Sequence, residues 1–355
     1  MTFTDPATAL ILTNGLLATD DAKTAHGLIR GTNRFNIVGV VDPANAGRDA
    51  GEVLDGRPRN IPVCESIAAH VAQANERPDC VIIGVALSGG KLPEDWHRIL
   101  LEAIEHRIDI ISTMHHPVSE IPVLQETARK NGVRITDLRR PKPAAALHFW
   151  SGAIYTVNTP RIAVLGMDCS IGKRTTCGLI EQTCRRHGIR AEMIYTGQTG
   201  WLQGYRHGFI FDATLNDFVS GELEHAILQC ERESAPDLIL IEGQSGLRNP
   251  SGPCGSEIIV SAAAKGVILQ HAPFRTHYEE LERLGCRMPD VADEIQLINM
   301  YGAQTLAVAL NEEGGTEADL TRCRDELEQR LKLPVFRPLQ DGIDGLLPII
   351  RRFMS

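Results

Sequence analysis

Short, almost wholly apolar runs alternate along this chain with longer stretches in which apolar and charged positions mix at helical spacing. In the first part the apolar runs fall at 9–12, 35–42, 80–86 and 108–112, and the mixed stretches at 18–30, 96–106 and 118–131, the last stopped by Gly132. A short run that is apolar at every position fits a strand buried on both faces, because successive side chains point to opposite sides. Strands of that kind separated by helices predict parallel βαβ units in a doubly wound α/β sheet. The polar, proline-broken segment Arg139, Arg140, Pro141, Lys142 and Pro143 interrupts the pattern and predicts a boundary, giving domains at 1–145 and 146–355. Beyond it the alternation resumes, with strands predicted at 161–165, 191–195, 237–241, 266–269, 305–310 and 334–336 and helices at 175–187, 212–229, 257–264 and 318–331. Asn216 and Asp217, near the start of the helix at 212–229, are expected to cap it.

The most informative stretch joins the strand at 161–165 to the helix at 175–187. It reads Gly166, Met167, Asp168, Cys169, Ser170, Ile171, Gly172, Lys173, Arg174, Thr175 and Thr176. Strand, glycine-flanked turn ending in Gly-Lys, then helix is the setting of a P-loop. Glycines let several backbone N–H groups converge, the helix N-terminus adds positive partial charge, and Lys173 adds a full one. Phosphate is the expected ligand, held by Gly166, Cys169, Ser170, Ile171, Gly172, Lys173, Arg174 and Thr175. Two features depart from the usual pattern. Arg174 occupies the place of the hydroxyl that ligates Mg²⁺, and Thr175 lies about 100° further round the helix. Five residues, not four, separate Gly166 from Gly172. This loop suits a metal-free diphosphate or phosphomonoester, and coenzyme A carries both.

Ligands of open α/β sheets sit beyond the carboxyl ends of strands, so the segments that end the later strands are the next candidates. Gly197, Gln198 and Thr199 form a tight polar loop after the strand at 191–195. Glu242 closes the strand at 237–241 where a Walker B acid would stand, able to hold a metal or water or to accept a proton, and Gly243, Gln244, Ser245 and Arg248 follow it. His271 ends the strand at 266–269 and is the first histidine to consider as a general base, with Arg275 nearby to hold an anionic substrate. Asp168 sits inside the P-loop, where a carboxylate is costly beside phosphate, so a part in the reaction is the expectation. In the first domain Asp42 ends a strand as a ribose-binding acid would, but the full G-x-G-x-x-G is missing, which argues against NAD.

Composition narrows these readings. With 355 residues, two domains are expected, and 43% hydrophobic with 23% charged residues is ordinary for a globular chain. A net charge of −9 argues against nucleic-acid or anionic-membrane partners. No apolar run approaches the ~20 residues needed to cross a bilayer, and the first residues lack the basic start of a signal peptide. Nine scattered cysteines without a C-x-x-C pair fit free thiols in a reducing cytoplasm and make a metal site unexpected. A homo-oligomer is expected.

The loop 166–176, the segment from Tyr195 to Gly200 and the strand leading to Glu242 and Gly243 resemble, in that order, a P-loop family long catalogued as uncharacterised, one branch of which is assigned as D-glutamate N-acetyltransferase. The resemblance spans nearly the whole chain. It implies a Rossmann-like N-terminal domain followed by a P-loop NTPase-like α/β domain related to dethiobiotin synthetase. In those relatives an acid also occurs at the place of Asp168. The resemblance further implies acetyl-CoA as donor and a small-molecule acidic D-amino acid as acceptor. Where it implies a His-Pro element after Glu242, this chain has Arg248, Asn249 and Pro250. N-acetylation would use Glu242, His271 or Asp168 for proton transfer. Two other readings stay open: a ligase or kinase using Mg-ATP, and a nucleotide- or CoA-binding regulator without turnover.

Overall fold

Continuous apolar runs become the central strands of two parallel sheets in the computed structural model, which describes residues 6–74 and 77–355. The chain divides into two units, one holding the residues up to Lys142 together with Gln198–Tyr205, the other Pro143–Gly197 and Arg206–Ser355.

The first unit contains β1 (Ala7–Leu12), α1 (Lys23–Arg30), β2 (Phe35–Val41), α2 (Ala50–Asp55), β3 (Val63–Cys64), α3 (Ile67–Ala74), β4 (Cys80–Ile83), α4 (Trp96–Glu105), β5 (Asp109–Ser112), α5 (Pro122–Asn131) and β6 (Ile135–Asp137). Six parallel strands run in the order β3-β2-β1-β4-β5-β6. Alternation explains why β1 is apolar throughout. Leu10 and Leu12 face one core with Leu100, Ile104 and Leu124, while Ala9 and Ile11 face another with Ala25 and Leu28. Asp42, just beyond β2, is fully buried. Its carboxylate accepts from the Thr13 hydroxyl (2.7 Å), the amides of Gly15 and Leu17 (both 2.9 Å) and the side chain of Asn45 (2.9 Å). It pins the turn after β1 instead of presenting itself to a ribose.

The second unit follows with β7 (Arg161–Gly166), α6 (Lys173–Arg186), β8 (Ala191–Tyr195), then α7 (Gln198–Gln203), which packs in the first unit, β9 (His207–Gly208), α8 (Asn216–Ser234), β10 (Leu238–Glu242), α9 (Ser256–Val260), β11 (Gly266–His271), α10 (Val291–Met300), β12 (Gln304–Leu310), α11 (Glu317–Leu331), β13 (Val335–Phe336) and α12 (Leu347–Met354). Seven parallel strands run β13-β12-β11-β7-β10-β8-β9, so the P-loop strand β7 lies between the strands that end in Glu242 and His271. The expected cap of α8 is absent. Leu215 holds the N-cap position and no side chain bonds there. α9 is shorter than its pattern implied, ending at Val260, with Ala263 already at φ +48°. No described helix is long and apolar enough to cross a membrane.

Candidate functional site

The loop between β7 and α6 takes its shape from a few left-handed residues. Ser170 has φ +55° and Gly172 φ +102°, and Gly172 stands at the N-cap of α6. The turn aims the first amides of α6 outward, where the helix itself offers them no carbonyl partner. Lys173 folds back over the loop. Its ammonium is buried and donates to the carbonyl oxygens of Asp168 and, at 2.9 Å, Ser245. Burial holds its pKa below the usual lysine value, opposed by the nearby Cys169 and Asp168. A desolvated ammonium satisfied by two neutral carbonyls is placed to gain from an incoming anion.

Asp168 has no exposed surface. One carboxylate oxygen accepts from the Cys169 amide at 2.7 Å and Asn249 Nδ2 at 2.9 Å. The other accepts from Arg275 Nη1 at 3.0 Å and the Glu279 amide at 2.8 Å. Four donors saturate it, so it acts as the loop's internal anchor and not as a reacting acid. The guanidinium of Arg275 is committed in the same way, to Asp168, to the Cys169 carbonyl and to Glu313 at 3.0 Å. Asn311, after β12, donates to the Ile171 carbonyl at 3.3 Å, and the Thr176 hydroxyl donates to Gln270 Oε1 at 2.7 Å. Asn249, Gln270 and Asn311 are the site residues that sequence reasoning missed. Gln270 and Asn311 share a signal with Glu242: each is a polar residue at a strand end, on β11 beside β7 and after β12, the next strand out.

Glu242 ends β10 and is buried. Its Oε2 accepts from the Thr196 amide at 2.9 Å, and the nearby Gly197 amide also favours the charged carboxylate. Burial raises its pKa. Arg174, half-buried on α6, is the charge that most strongly opposes the rise, followed among charges by Lys173. The Gln244 amide donates to the Thr196 hydroxyl at 2.8 Å, which itself donates to the Glu242 carbonyl at 2.9 Å. Gly243 uses its amide in the sheet edge, on the Val164 carbonyl at 3.0 Å. Ser245 lies at φ +37° with its hydroxyl buried and unbonded. The next residue must be small, because a Cβ on Gly246 would lie 2.5 Å from the Met167 carbonyl oxygen. The Glu242 loop and the P-loop are thus in backbone contact.

His271 and Arg248, also expected in the site, are engaged with other groups. Gln270 and His271 are neighbours on β11, so they point to opposite faces. Gln270 meets α6, while His271 faces Asp290 and Arg330. Burial pushes the His271 imidazole down to about 4, and its Nδ1 is buried without a partner. His271 is therefore not gathered with Glu242 and Lys173. Arg248 donates through Nε to the buried Glu294 at 2.7 Å, so that guanidinium too is already paired. Gln198 and Thr199 open α7 and belong to the first unit, where the Thr199 hydroxyl lies 3.4 Å from that of Thr24. Gly166, Cys169, Ser170, Ile171, Gly172, Lys173, Arg174, Thr175, Gly197, Glu242, Gly243, Gln244 and Ser245 are brought together around the end of β7.

Comparison with known proteins agrees with this architecture. Residues 148–347 match the family model described as a domain of unknown function, DUF1611_C P-loop domain, and residues 43–141 match its companion, the DUF1611_N Rossmann-like domain. Two curated relatives are named D-glutamate N-acetyltransferase. One, from a Pseudoalteromonas species, is 28% identical over 75% of this chain and 79% of its own; the other, from Tritonibacter scottomollicae, is 26% identical over the same shares. A crystal structure of a DUF1611 family protein from Anabaena variabilis superposes with a TM-score of 0.87 at 26% identity, covering 98% of this chain and 99% of that one. With a Rossmann-like first half, a P-loop second half and a solved relative matched along nearly its whole length, the chain belongs to the DUF1611 family.

Proposed function

We propose that this protein is an amino-acid N-acetyltransferase that moves an acetyl group from acetyl-CoA to the amine of an acidic amino acid, D-glutamate, in the breakdown of D-amino acids. The observation that carries the reading is that two curated relatives of that name align over 75% of the chain. The P-loop supports the donor. A phosphate oxygen can replace the Asp168 and Ser245 carbonyls at the buried Lys173 ammonium, and the first amides of α6 add neutral donors. These residues fit the diphosphate or the phosphomonoester of coenzyme A.

In the transfer, the acceptor nitrogen forms a bond to the acetyl carbonyl carbon, the carbon–sulfur bond breaks, and the leaving CoA sulfur takes up the proton that the nitrogen sheds on becoming an amide. The amine must first lose its proton. Of the three acids and bases expected from the sequence, Glu242 lies with the P-loop and takes the Thr196 amide on Oε2, whereas Asp168 holds two donors on each oxygen. Its buried carboxylate, with pKa raised by desolvation and kept from rising further by Arg174, is the proton acceptor in this scheme.

Mass spectrometry of the protein incubated with acetyl-CoA and a panel of D- and L-amino acids tests the reading. An N-acetylated product from D-glutamate or a close relative is expected, and no acetylated product from any acceptor would overturn it. Mass detection is preferable to a thiol reagent because the chain carries nine free cysteines. Lys173→Ala removes one charge-assisted contact and is expected to weaken CoA binding by roughly 10- to 100-fold in calorimetry.

A further inference from the structure

P-loops that bind nucleotides usually bring a magnesium ion, held by the hydroxyl that follows the lysine and by an acid at a neighbouring strand end. The residues at those places do not fit that ion here. Arg174 follows Lys173. The hydroxyl of Thr176 is turned to the sheet and donates to Gln270 Oε1 at 2.7 Å. The acid, Glu242, already receives the Thr196 amide at 2.9 Å.

The charge arrangement nevertheless demands a cation. A buried carboxylate and an arriving phosphate repel unless positive charge stands between them. Lys173 rests on the loop carbonyls of Asp168 and Ser245 and is the cation that the phosphate itself would recruit. The remaining strong charge on Glu242 is the half-buried guanidinium of Arg174. Arginine stays protonated under all ordinary conditions, and its planar fork matches phosphate oxygens as well as carboxylates.

We propose that Arg174 is a built-in counter-ion standing in for the divalent cation, so that this P-loop takes phosphate or diphosphate esters in metal-free form. The proposal rests on the reading of the loop as a phosphate cradle and narrows its ligand class. It separates this site from the Mg-nucleotide sites whose backbone it shares.

The test is calorimetry on the full chain with CoA and, separately, ADP, each in EDTA and in excess Mg²⁺. Wild-type affinity for CoA is expected to change by no more than about 2-fold between the two conditions, well under the tenfold that 1.4 kcal/mol represents. Arg174→Lys, which keeps the charge, is expected to stay metal-independent. Arg174→Thr, which restores the usual hydroxyl, is expected to lose roughly 10- to 100-fold in EDTA and to regain affinity with Mg²⁺. If Mg²⁺ tightens the wild type by about tenfold or more, or if Arg174→Thr binds as tightly as wild type in EDTA, the counter-ion role is wrong while the phosphate cradle stands. Failure of the wild type to bind either ligand under both conditions overturns the cradle and the counter-ion together.

Discussion

Asp168 sits in the middle of a loop that should repel carboxylates, and four donors explain how it stays. Removing the carboxylate leaves the Arg275 guanidinium, itself mostly buried, without its main partner. Asp168→Ala should therefore cost about 3–5 kcal/mol of stability, the range for breaking one side of a buried pair. The Asp168→Ala/Arg275→Ala double variant should fall well short of the sum of the two singles, which a double-mutant cycle by denaturant titration would show. A sum that is fully additive would mean the pair is not coupled. The sequence made Lys173 and Glu242 legible, because a Gly-Lys turn and an acid closing an apolar strand are local signals. It did not reveal that Asp168, Arg275 and Asn249 form one knot. These residues are separated by 107 and 81 positions from Asp168, and no spacing rule links them. Arg337 is a parallel case. It is almost fully buried against Glu317, and nothing in its neighbourhood of the sequence marks it as internal.

At the scale of elements, long apolar strands and helices were legible, and short ones were not. β3, β9 and β13 are two-residue strands, too brief for any period to show; only β13 was expected, within the strand at 334–336. α10 and α12 escaped for a different reason. Each follows a segment rich in turns, and their apolar positions blend with neighbouring irregular chain. The packing of α8 depends on contacts of this hidden kind. Its buried Glu222 and Glu224 receive the amides of His148, Ser151 and Ile154, so the segment before β7 lies strapped along the helix. Gly221 makes room for it, since an added Cβ would fall 1.9 Å from the His148 carbonyl oxygen. Gly221→Ala is expected to destabilise the protein by about 1–3 kcal/mol or more despite improving helix propensity. Thermal unfolding checks this, and a raised melting temperature would show that the strap yields freely.

For the whole molecule, buried titratable groups set how stability follows pH. His271 titrates at about 4 in the folded chain and near 6.5 when unfolded. Between those values the unfolded state binds the proton and the native state does not, so stability falls as pH drops from about 6.5 to 4, by at most about 3 kcal/mol for this one group. Glu181 acts in the opposite direction. Burial raises its carboxyl to about 7, so its contribution is lost as pH rises from about 4.5 to 7. Comparing His271→Gln with wild type in denaturant titrations across this range isolates the histidine, and the acid-side loss should be smaller in the variant. An identical pH profile would mean that His271 is not buried in solution. Another whole-molecule property follows from α7. The chain leaves the second unit after Gly197, contributes Leu202 to the core beneath α1, stacks Trp201 under Arg34 at 4.2 Å, and returns at Arg206. During synthesis, the first unit therefore lacks a part until residue 205 of 355 has left the ribosome. The P-loop is translated before the Rossmann-like half is finished, so the two halves are not beads on a string that a cut after Lys142 would separate intact.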